Sequence, residues 1–265
     1  MNYISEKFNI HFLPEYTLSA KAGFSKDVIA VTDKQLNLNL LLEYDAENPK
    51  LDATQILSLP FRYVKVVIPH QSLTFIPEEV FQEDRLSEYA PYLVEHVPNH
   101  IHTYEMKNLG IVAVFEYDLI LYNRWKALFP DAEIFPEFCI ILDQAQDLVP
   151  IRGSVLGVHF VSDHLVDLYL FQNGQFMLYN SFDVHFADDL NYYILNIIQQ
   201  FSLTDQVSKV LVSGEIPNDT YRKCLERYST TIAHLESKSK AHINKDIEGI
   251  NFKKYNTLFD AILCE

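Results

Sequence analysis

The sequence predicts an α/β protein of two domains, each a mixed sheet of βββαβα order flanked by helices. Its length of 265 residues favours two domains of ordinary size over one. Residues 153–214 carry the pattern strand, turn, strand, turn, strand, helix, strand. The first half of the chain shows a similar order of elements, without a residue-level repeat. A boundary near residues 146–152 then gives domains at 1–150 and 151–265.

The strongest local signal in the second half is Asn173-Gly174, which lies between two runs of alternating apolar residues. Both residues tolerate the positive φ that a two-residue hairpin turn needs. Ser162-Asp163-His164 marks the other tight turn. We therefore predict strands at 154–160, 165–172 and 175–180, a helix at 187–201 and a buried strand at 207–213. Further on we expect a helix at 219–228, a strand at 231–235 and a closing helix at 255–263.

Alternating and continuous apolar runs also predict the elements of the first half. An edge strand is expected at 8–13, before Pro14, and a helix opens at Pro77. The remaining expectations are strands at 16–22, 28–32, 36–42, 63–68 and 72–76, a helix at 53–59, a weak helix at 84–93, paired strands at 103–106 and 111–115, a helix at 117–128, a strand at 132–135 and a helix at 136–144.

Composition limits the classes of partner. Lys and Arg number 21 against 36 Asp and Glu, and the formal charge of −15 repels nucleic-acid backbones and anionic lipid. Three cysteines far apart are typical of a reducing compartment rather than a disulfide framework. The N-terminal residues lack a secretion-signal pattern, and no apolar run approaches the ~20 residues of a membrane helix. The sequence thus predicts an acidic cytoplasmic protein with no nucleic-acid partner and no membrane insertion.

Glycine is scarce, with seven in 265 residues. Loops that wrap phosphate use glycine because the backbone must come close to the ligand and turn sharply. The chain contains neither G-x-G-x-x-G nor G-x-x-x-x-G-K-[ST]. The sequence therefore argues against the common phosphate-binding loops.

Two groups of polar residues could carry other chemistry. One surrounds a predicted hairpin and could ligate a metal, although ordinary turn and strand residues explain it better: His159, Asp163, His164 and Asp167. The other is a loop cluster that could hold a ligand or sense pH: His96, His100 and His102. A third hypothesis is an enzyme that acts on a small molecule, and these histidines are the only residues that suggest it.

No nucleophile is evident. The chain has no G-x-S-x-G elbow, and Cys139, which stands between Phe138 and Ile140, is expected to be a buried apolar residue. Tyr192 and Tyr193 are expected to pack in the core or a cleft. We predict no catalytic residue and no metal site.

The duplicated element order resembles the actin-like ATPase superfamily, whose domains are ribonuclease H-like. The chain is more closely similar to an uncharacterised Bacteroidetes family known as a domain of unknown function (DUF3822). The residues that carry this resemblance span nearly the whole chain: 72–77 (SLTFIP) with Phe81, Asn173-Gly174, 180–182 (NSF) running into 188–194 (DDLNYYI), and Ser213-Gly214.

The three nucleotide loops of the superfamily can be compared with this chain. The first is an acid-x-Gly turn, and residues 22–26 (AGFSK) have one glycine with no acid before it. The second is an Asp-x-Gly turn, and Ser162-Asp163-His164 has the acid without the glycine. The adenosine loop is Gly-Gly, and Ser213-Gly214-Glu215 keeps half of it. Bulkier side chains in these loops should block close approach of phosphate.

The resemblance thus implies a degenerate ATPase fold used as a non-catalytic scaffold or regulatory protein, with no cofactor and an unknown protein partner. The alternative is a nucleotide-binding protein or weak ATPase with altered loops. ATP and magnesium would be its cofactors, and its contacts would be Ser162, Asp163, Ser213, Gly214 and Lys26. Nothing in the sequence indicates the oligomeric state.

Overall fold

A computed structural model describes residues 2–93, 100–203, 206–239 and 251–264. Its strands are β1 (Asn2–Ile4), β2 (Thr17–Lys21), β3 (Lys26–Thr32), β4 (Leu38–Asp45), β5 (Tyr63–Ile68), β6 (His70–Pro77), β7 (His102–Met106), β8 (Ile111–Tyr117), β9 (Glu133–Pro136), β10 (Ser154–Phe160), β11 (Leu165–Gln172), β12 (Gln175–Asp183), β13 (Lys209–Gly214) and β14 (Ile232–His234). Its α-helices are α1 (Leu51–Leu57), α2 (Leu86–Tyr89), α3 (Leu119–Leu128), α4 (Glu137–Gln146), α5 (Ala187–Gln200), α6 (Asp219–Glu226) and α7 (Asn256–Asp260). None of these helices is both long enough and apolar enough to cross a membrane.

The described residues form two compact units. Unit 1 contains the described parts of Met1–Ile140, Ser237–Ile250 and Thr257–Glu265, and unit 2 contains those of Ile141–Glu236 and Asn251–Asn256. This division differs from the boundary expected at residue 150. The C-terminal residues group with unit 1, where the Thr257 hydroxyl donates to Oε1 of Glu137, the first residue of α4 (2.8 Å).

Both units contain the same five-strand arrangement. The order is β4-β3-β2-β5-β9 in unit 1, with β1 added beside β4, and β12-β11-β10-β13-β14 in unit 2. In each unit the first three strands pair antiparallel and the last two join in parallel. The prediction of two α/β domains with mixed sheets and a βββαβ order is therefore confirmed. Unit 1 also contains a three-stranded sheet of order β6-β8-β7.

The core of unit 2 follows from alternation along its strands. Leu156, Val158 and Phe160 of β10 share one face with apolar residues of β11 and β13, and that face packs against α5 and α6. The helix α5 supplies Leu190, Ile194, Ile197 and Ile198, which recur at helical spacing. The amphipathic pattern of residues 187–201 thus gives the helix that covers this sheet.

The hairpin between β11 and β12 forms where the sequence predicts it. Asn173 and Gly174 have φ values of 52° and 83°, the left-handed region that their residue types tolerate. The side chain of Asn173 also accepts a hydrogen bond from the N–H of Gly153 (3.1 Å). The turn therefore fixes the register of the two longest strands of unit 2.

Several predicted elements differ from the structure. The edge strand expected at residues 8–13 is wrong, because Ile10–Glu15 forms a 3₁₀ helix, with Asn9 accepting from the N–H of His11 (3.0 Å). The strand of this region is β1, which pairs with β4. Only a 3₁₀ turn, Glu78–Val80, follows Pro77. The helix expected at 255–263 is a 3₁₀ turn, then α7, then another 3₁₀ turn.

Gly157 tests the packing of unit 2. It lies opposite Tyr169 in the register of β10 and β11, and a Cβ there would lie 1.8 Å from the tyrosine ring. Because Tyr169 is fully buried, Gly157→Ala should lower the free energy of unfolding by about 3 kcal/mol. The matched control is Gly174→Ala, where only the positive φ opposes the substitution, and it should cost about 1 kcal/mol.

Urea unfolding followed by far-ultraviolet circular dichroism would measure both variants. The fluorescence of Trp125, which lies in unit 1, would report the other unit separately. Equal losses in the two variants would contradict the packing described for Gly157.

Candidate functional site

Four of the five predicted nucleotide contacts lie at one edge of the unit 2 sheet. The parallel strands β10 and β13 are in register with Phe160 opposite Gly214 and His159 opposite Ser213. The turn Ser162-Asp163-His164 follows β10, and Ser213-Gly214 ends β13. Ligands of α/β proteins commonly bind at the carboxyl ends of parallel strands. This edge is therefore the natural place to look for a site in unit 2.

The turn of residues 162–164 is closed on itself. The N–H groups of Val161 and Ser162 both donate to the carbonyl oxygen of Leu165, at 3.0 and 3.2 Å. Ser162, Asp163 and His164 are exposed. The turn thus presents side chains to solvent, while two of its main-chain donors are already used.

Ser213 is buried in a neutral hydrogen-bond network. Its hydroxyl bonds with the side chain of Asn256 (3.0 and 3.2 Å), and the amide of Asn256 donates to Oε1 of Gln144 (2.6 Å). All three residues are buried. The Ser213 hydroxyl is therefore committed to the interior of unit 2.

Gly214 has no room for a side chain. Its φ is +80°, and a Cβ would lie 2.4 Å from the carbonyl oxygen of Phe160. Glycine is required here because the main chains of β10 and β13 approach closely. Gly214 is the one glycine of the adenosine-loop pattern that the sequence keeps, and the close packing of these strands explains its presence.

The corresponding turn of unit 1 is held by a buried carboxylate. Oδ1 of Asp27 accepts hydrogen bonds from the N–H of Gly23 (2.9 Å) and from Nη2 of Arg124 (2.6 Å). Arg124 also donates to the carbonyl oxygen of Gly23 (3.2 Å). Burial raises the pKa of Asp27, and the bonds from Gly23, Arg124 and Tyr44 oppose that rise. The main-chain donor of this turn, the N–H of Gly23, is therefore already bonded to a carboxylate of the chain itself.

Lys26 is the first residue of β3 and lies in unit 1. Its exposed Nζ is 3.3 Å from Oε1 of Glu43. It also lines an open cavity of about 430 Å³ together with Glu43, Asp45 and Lys50. Unit 2 has an open cavity of about 420 Å³ beside the first turns of α5 and α6, and none of the predicted contacts lines it.

Unit 1 contains a second polar pair that the sequence did not reveal. Lys21 ends β2, and its Nζ lies 2.5 Å from Oε1 of Glu137, which begins α4 directly after β9. Both β2 and β9 are parallel neighbours of β5, so their carboxyl ends share an edge. The available signal was a charged residue at the end of β2 and another directly after β9, but only the pairing of both strands with β5 brings these charges together.

The fold separates the four residues around the β10–β11 hairpin that were considered as metal ligands. His159 and Asp167 are buried cross-strand neighbours, whereas Asp163 and His164 are exposed in the turn. The carboxylate of Asp167 accepts from the hydroxyls of Tyr179 and Ser181, both at 2.6 Å. Within the described residues, no group of three or more His, Cys, Asp or Glu is arranged to hold a metal ion.

Of the loop histidines, His96 lies outside the described residues and His100 is exposed. His102 is half-buried among the rings of Phe115, Tyr117 and Tyr122, whose centroids lie 4.9–6.0 Å from its own. Burial lowers the pKa of His102, and His100 adds to that effect. His102 is therefore a packing residue of unit 1.

The environment of Asp27 predicts a pH effect. Because its folded pKa is raised above 3.8, the native state keeps the proton to a higher pH than the unfolded chain does. The stability linked to this proton is present below 3.8 and is lost as the pH rises through the folded pKa. The free energy of unfolding of the wild type, minus that of Asp27→Asn, should therefore fall as the pH rises from ~4.

Urea unfolding followed by the fluorescence of Trp125 would measure this difference. Asp131→Asn, at an exposed carboxylate of the same unit, is the matched control for removal of a negative charge. A difference that stays constant or grows with pH would show that burial does not dominate at Asp27.

Known structures share the fold. The chain is similar to a protein of unknown function with an actin-like ATPase fold from Bacteroides thetaiotaomicron VPI-5482 (18% identity, TM-score 0.73), over 97% of this chain and 99% of that one. It is also similar to the PilM-PilN type IV pilus biogenesis complex (11% identity, TM-score 0.57), over 93% of this chain and 96% of that one. The cytoplasmic domain of EpsL from Vibrio cholerae matches at 13% identity and a TM-score of 0.46, over 94% of each chain.

The first two similarities show the fold, and the actin-like architecture implied by the sequence is confirmed. No curated protein matches the chain. The model of the family described as "Protein of unknown function (DUF3822)" matches residues 5–232. The chain therefore belongs to the DUF3822 family.

Proposed function

We propose that this protein is a non-catalytic scaffold or regulatory protein, built on a degenerate actin-like ATPase fold and acting through contact with another protein. One observation carries the proposal: main-chain donors in the turns at the carboxyl edges of both sheets are bonded to acceptors of the chain itself. A phosphate-binding loop needs such donors directed at the ligand.

The turn after β2 gives the clearest support. Asp27 takes the N–H of Gly23, and Arg124 bonds to both residues, so the turn carries its own anion and its own counter-charge. A phosphate entering here would have to displace a buried carboxylate from a pair only 2.6 Å long. Breaking a buried pair leaves an uncompensated charge, which typically costs about 3–5 kcal/mol.

Unit 2 supports the same conclusion by a different route. The turn of residues 162–164 uses the N–H groups of Val161 and Ser162 internally, and it contains no glycine. The Ser213 hydroxyl is bonded to Asn256. This edge keeps the strand arrangement of the fold, but its hydrogen-bond donors are bonded to groups of the chain itself.

The role in protein contact is supported by a structural relative. The PilM-PilN structure, whose fold is similar over most of this chain, is a complex of type IV pilus biogenesis. An actin-like fold can thus belong to an assembly between proteins. We assign this chain that kind of role and no particular partner.

A second candidate is a nucleotide-binding protein or weak ATPase with altered loops. It is favoured by the placement of Ser162, Asp163, Ser213 and Gly214 at one edge of unit 2, with Asp163 exposed. ATP and magnesium would be the cofactors, with the exposed carboxylate of Asp163 available to the metal. The chain would then hold the nucleotide mostly through side chains.

Calorimetric titration of the purified protein with Mg-ATP, Mg-ADP and Mg-GTP separates the two candidates. For a scaffold we expect no binding tighter than about 1 mM and phosphate release at the buffer rate. At 1 mM Mg-ATP the unfolding free energy should then rise by at most about 0.4 kcal/mol. Hydrolysis at an ordinary enzymatic rate, about 1 s⁻¹ or faster, would end the proposal.

Asp163→Ala tests the alternative directly, with Asp183→Ala as the matched control at another exposed carboxylate of unit 2. If nucleotide binds through this edge, Asp163→Ala should weaken it at least tenfold, a loss of about 1.4 kcal/mol, and Asp183→Ala should not. If both variants bind as the wild type does, or if none of the three binds, the nucleotide hypothesis fails.

A further inference from the structure

The open cavity of unit 2 lies between two helices and contains none of the predicted nucleotide contacts. Its volume is about 420 Å³, and its walls are residues at the start of α5 and along one face of α6. From α6 it receives the side chains of Tyr221, Lys223 and, four residues after Lys223, Arg227. A cavity of this size can hold a small molecule.

Two cationic side chains on the wall of this cavity have no counter-charge. Lys223 and Arg227 lie on the same face of α6, because residues four apart are neighbours on a helix. Within the described ranges, neither side chain forms an ion pair. The chain has 36 Asp and Glu against 21 Lys and Arg, so two exposed cations without a carboxylate partner are unexpected. They are available to a negatively charged ligand.

Tyr221 adds a hydrogen-bond donor that the fold holds in place. The residue is only 5% exposed, and its ring packs edge-on against Phe160 of β10, with the centroids 5.9 Å apart. No residue of the described chain is a hydrogen-bond partner of its hydroxyl. Burial raises the pKa of Tyr221, and the charge of Asp189 adds to that effect, so the hydroxyl keeps its proton at neutral pH. A buried side chain thus brings an unused donor to the cavity.

One acidic side chain limits the charge of the ligand. Asp188, in the first turn of α5, is exposed and lines the same cavity. The next residue, Asp189, is committed to the helix cap, since its Oδ2 accepts from the N–H groups of His185 and Phe186 at 3.0 and 2.9 Å. Asp188 should repel a polyphosphate, whereas two cations can balance a single phosphate group.

We propose that this cavity binds a small molecule that carries one phosphate group, held by Lys223, Arg227 and the hydroxyl of Tyr221. A guanidinium group can donate two hydrogen bonds to two phosphate oxygens, and the ammonium group supplies the second positive charge. Phe186 also lines the cavity and is 71% exposed, so it offers an apolar surface to the rest of the molecule. Neither candidate function described above uses these residues, so this site is independent of both.

Titration of the full chain with inorganic phosphate, at constant ionic strength and followed by the amide NMR spectrum, tests the site. We expect saturable binding with a Kd of about 1 mM or tighter. Tyr221→Phe keeps the buried ring and removes only the hydroxyl, and it should weaken binding about tenfold. Arg227→Met should weaken binding at least as much. The matched control is Arg222→Met, which removes the same charge from an exposed residue of α6 outside the cavity wall and should bind as the wild type does.

Asp188→Asn provides a test of opposite sign. It removes the carboxylate that faces the ligand and should tighten phosphate binding several-fold, a change that damage to the fold would not produce. Asp163→Ala, at the strand edge, should leave phosphate binding unchanged.

Three results would overturn the proposal. The first is the absence of saturable binding by the wild type up to ~20 mM phosphate. The second is phosphate binding that Tyr221→Phe leaves unchanged. The third is equal weakening by Arg222→Met and Arg227→Met, because the net charge of the helix, rather than this cavity, would then determine the affinity.

Discussion

The structure depends on the parallel pairing of β2 with β5 and of β10 with β13. This pairing brings the carboxyl ends of the strands to a common edge in each unit, where turns with polar side chains meet. In related architectures such an edge is where ligands bind. Here the edge has become part of the internal hydrogen bonding, since donors in the turns bond to Asp27 in unit 1 and to the carbonyl of Leu165 in unit 2.

The two units satisfy the polar groups at this edge with different kinds of residue. Unit 1 uses charges, with Asp27 bonded to Arg124 and Lys21 bonded to Glu137. Unit 2 uses neutral groups, with Ser213, Asn256 and Gln144 in one network. The shared topology therefore does not impose a shared set of residues. The topology fixes where polar groups meet, and the side chains at each edge decide what they can do there.

The sequence predicts those secondary-structure elements that are determined by residues close together in the chain. Asn173-Gly174 specifies its hairpin through the φ values that both residues tolerate, and the spacing of Leu190, Ile194 and Ile197 specifies α5. The order of elements along the chain, βββαβ, is predicted from the same patterns. The pattern fails at residues 8–13, where alternation is too short to separate a strand from a 3₁₀ helix.

The candidate site was predictable only in part, because its decisive contacts are non-local. The exposed turn of residues 162–164 and the end of β13 follow from motif and strand order. The ion pair of Lys21 with Glu137 joins residues more than 100 positions apart. Its prediction requires knowing that β2 and β9 both pair with β5, and the sequence does not state which strands are neighbours.

The charged pairs of unit 1 balance each other's charges within the chain. Lys21 and Glu137 are largely removed from water, so the loss of either partner would leave the other charge in a poorly solvated position. The same holds for Asp27, which is 2% exposed and bonded to Arg124. Residues at this edge are therefore constrained by the stability of unit 1 itself. Their charges are balanced within the chain, and phosphate binding at the turn after β2 would have to break the pair of Asp27 with Arg124.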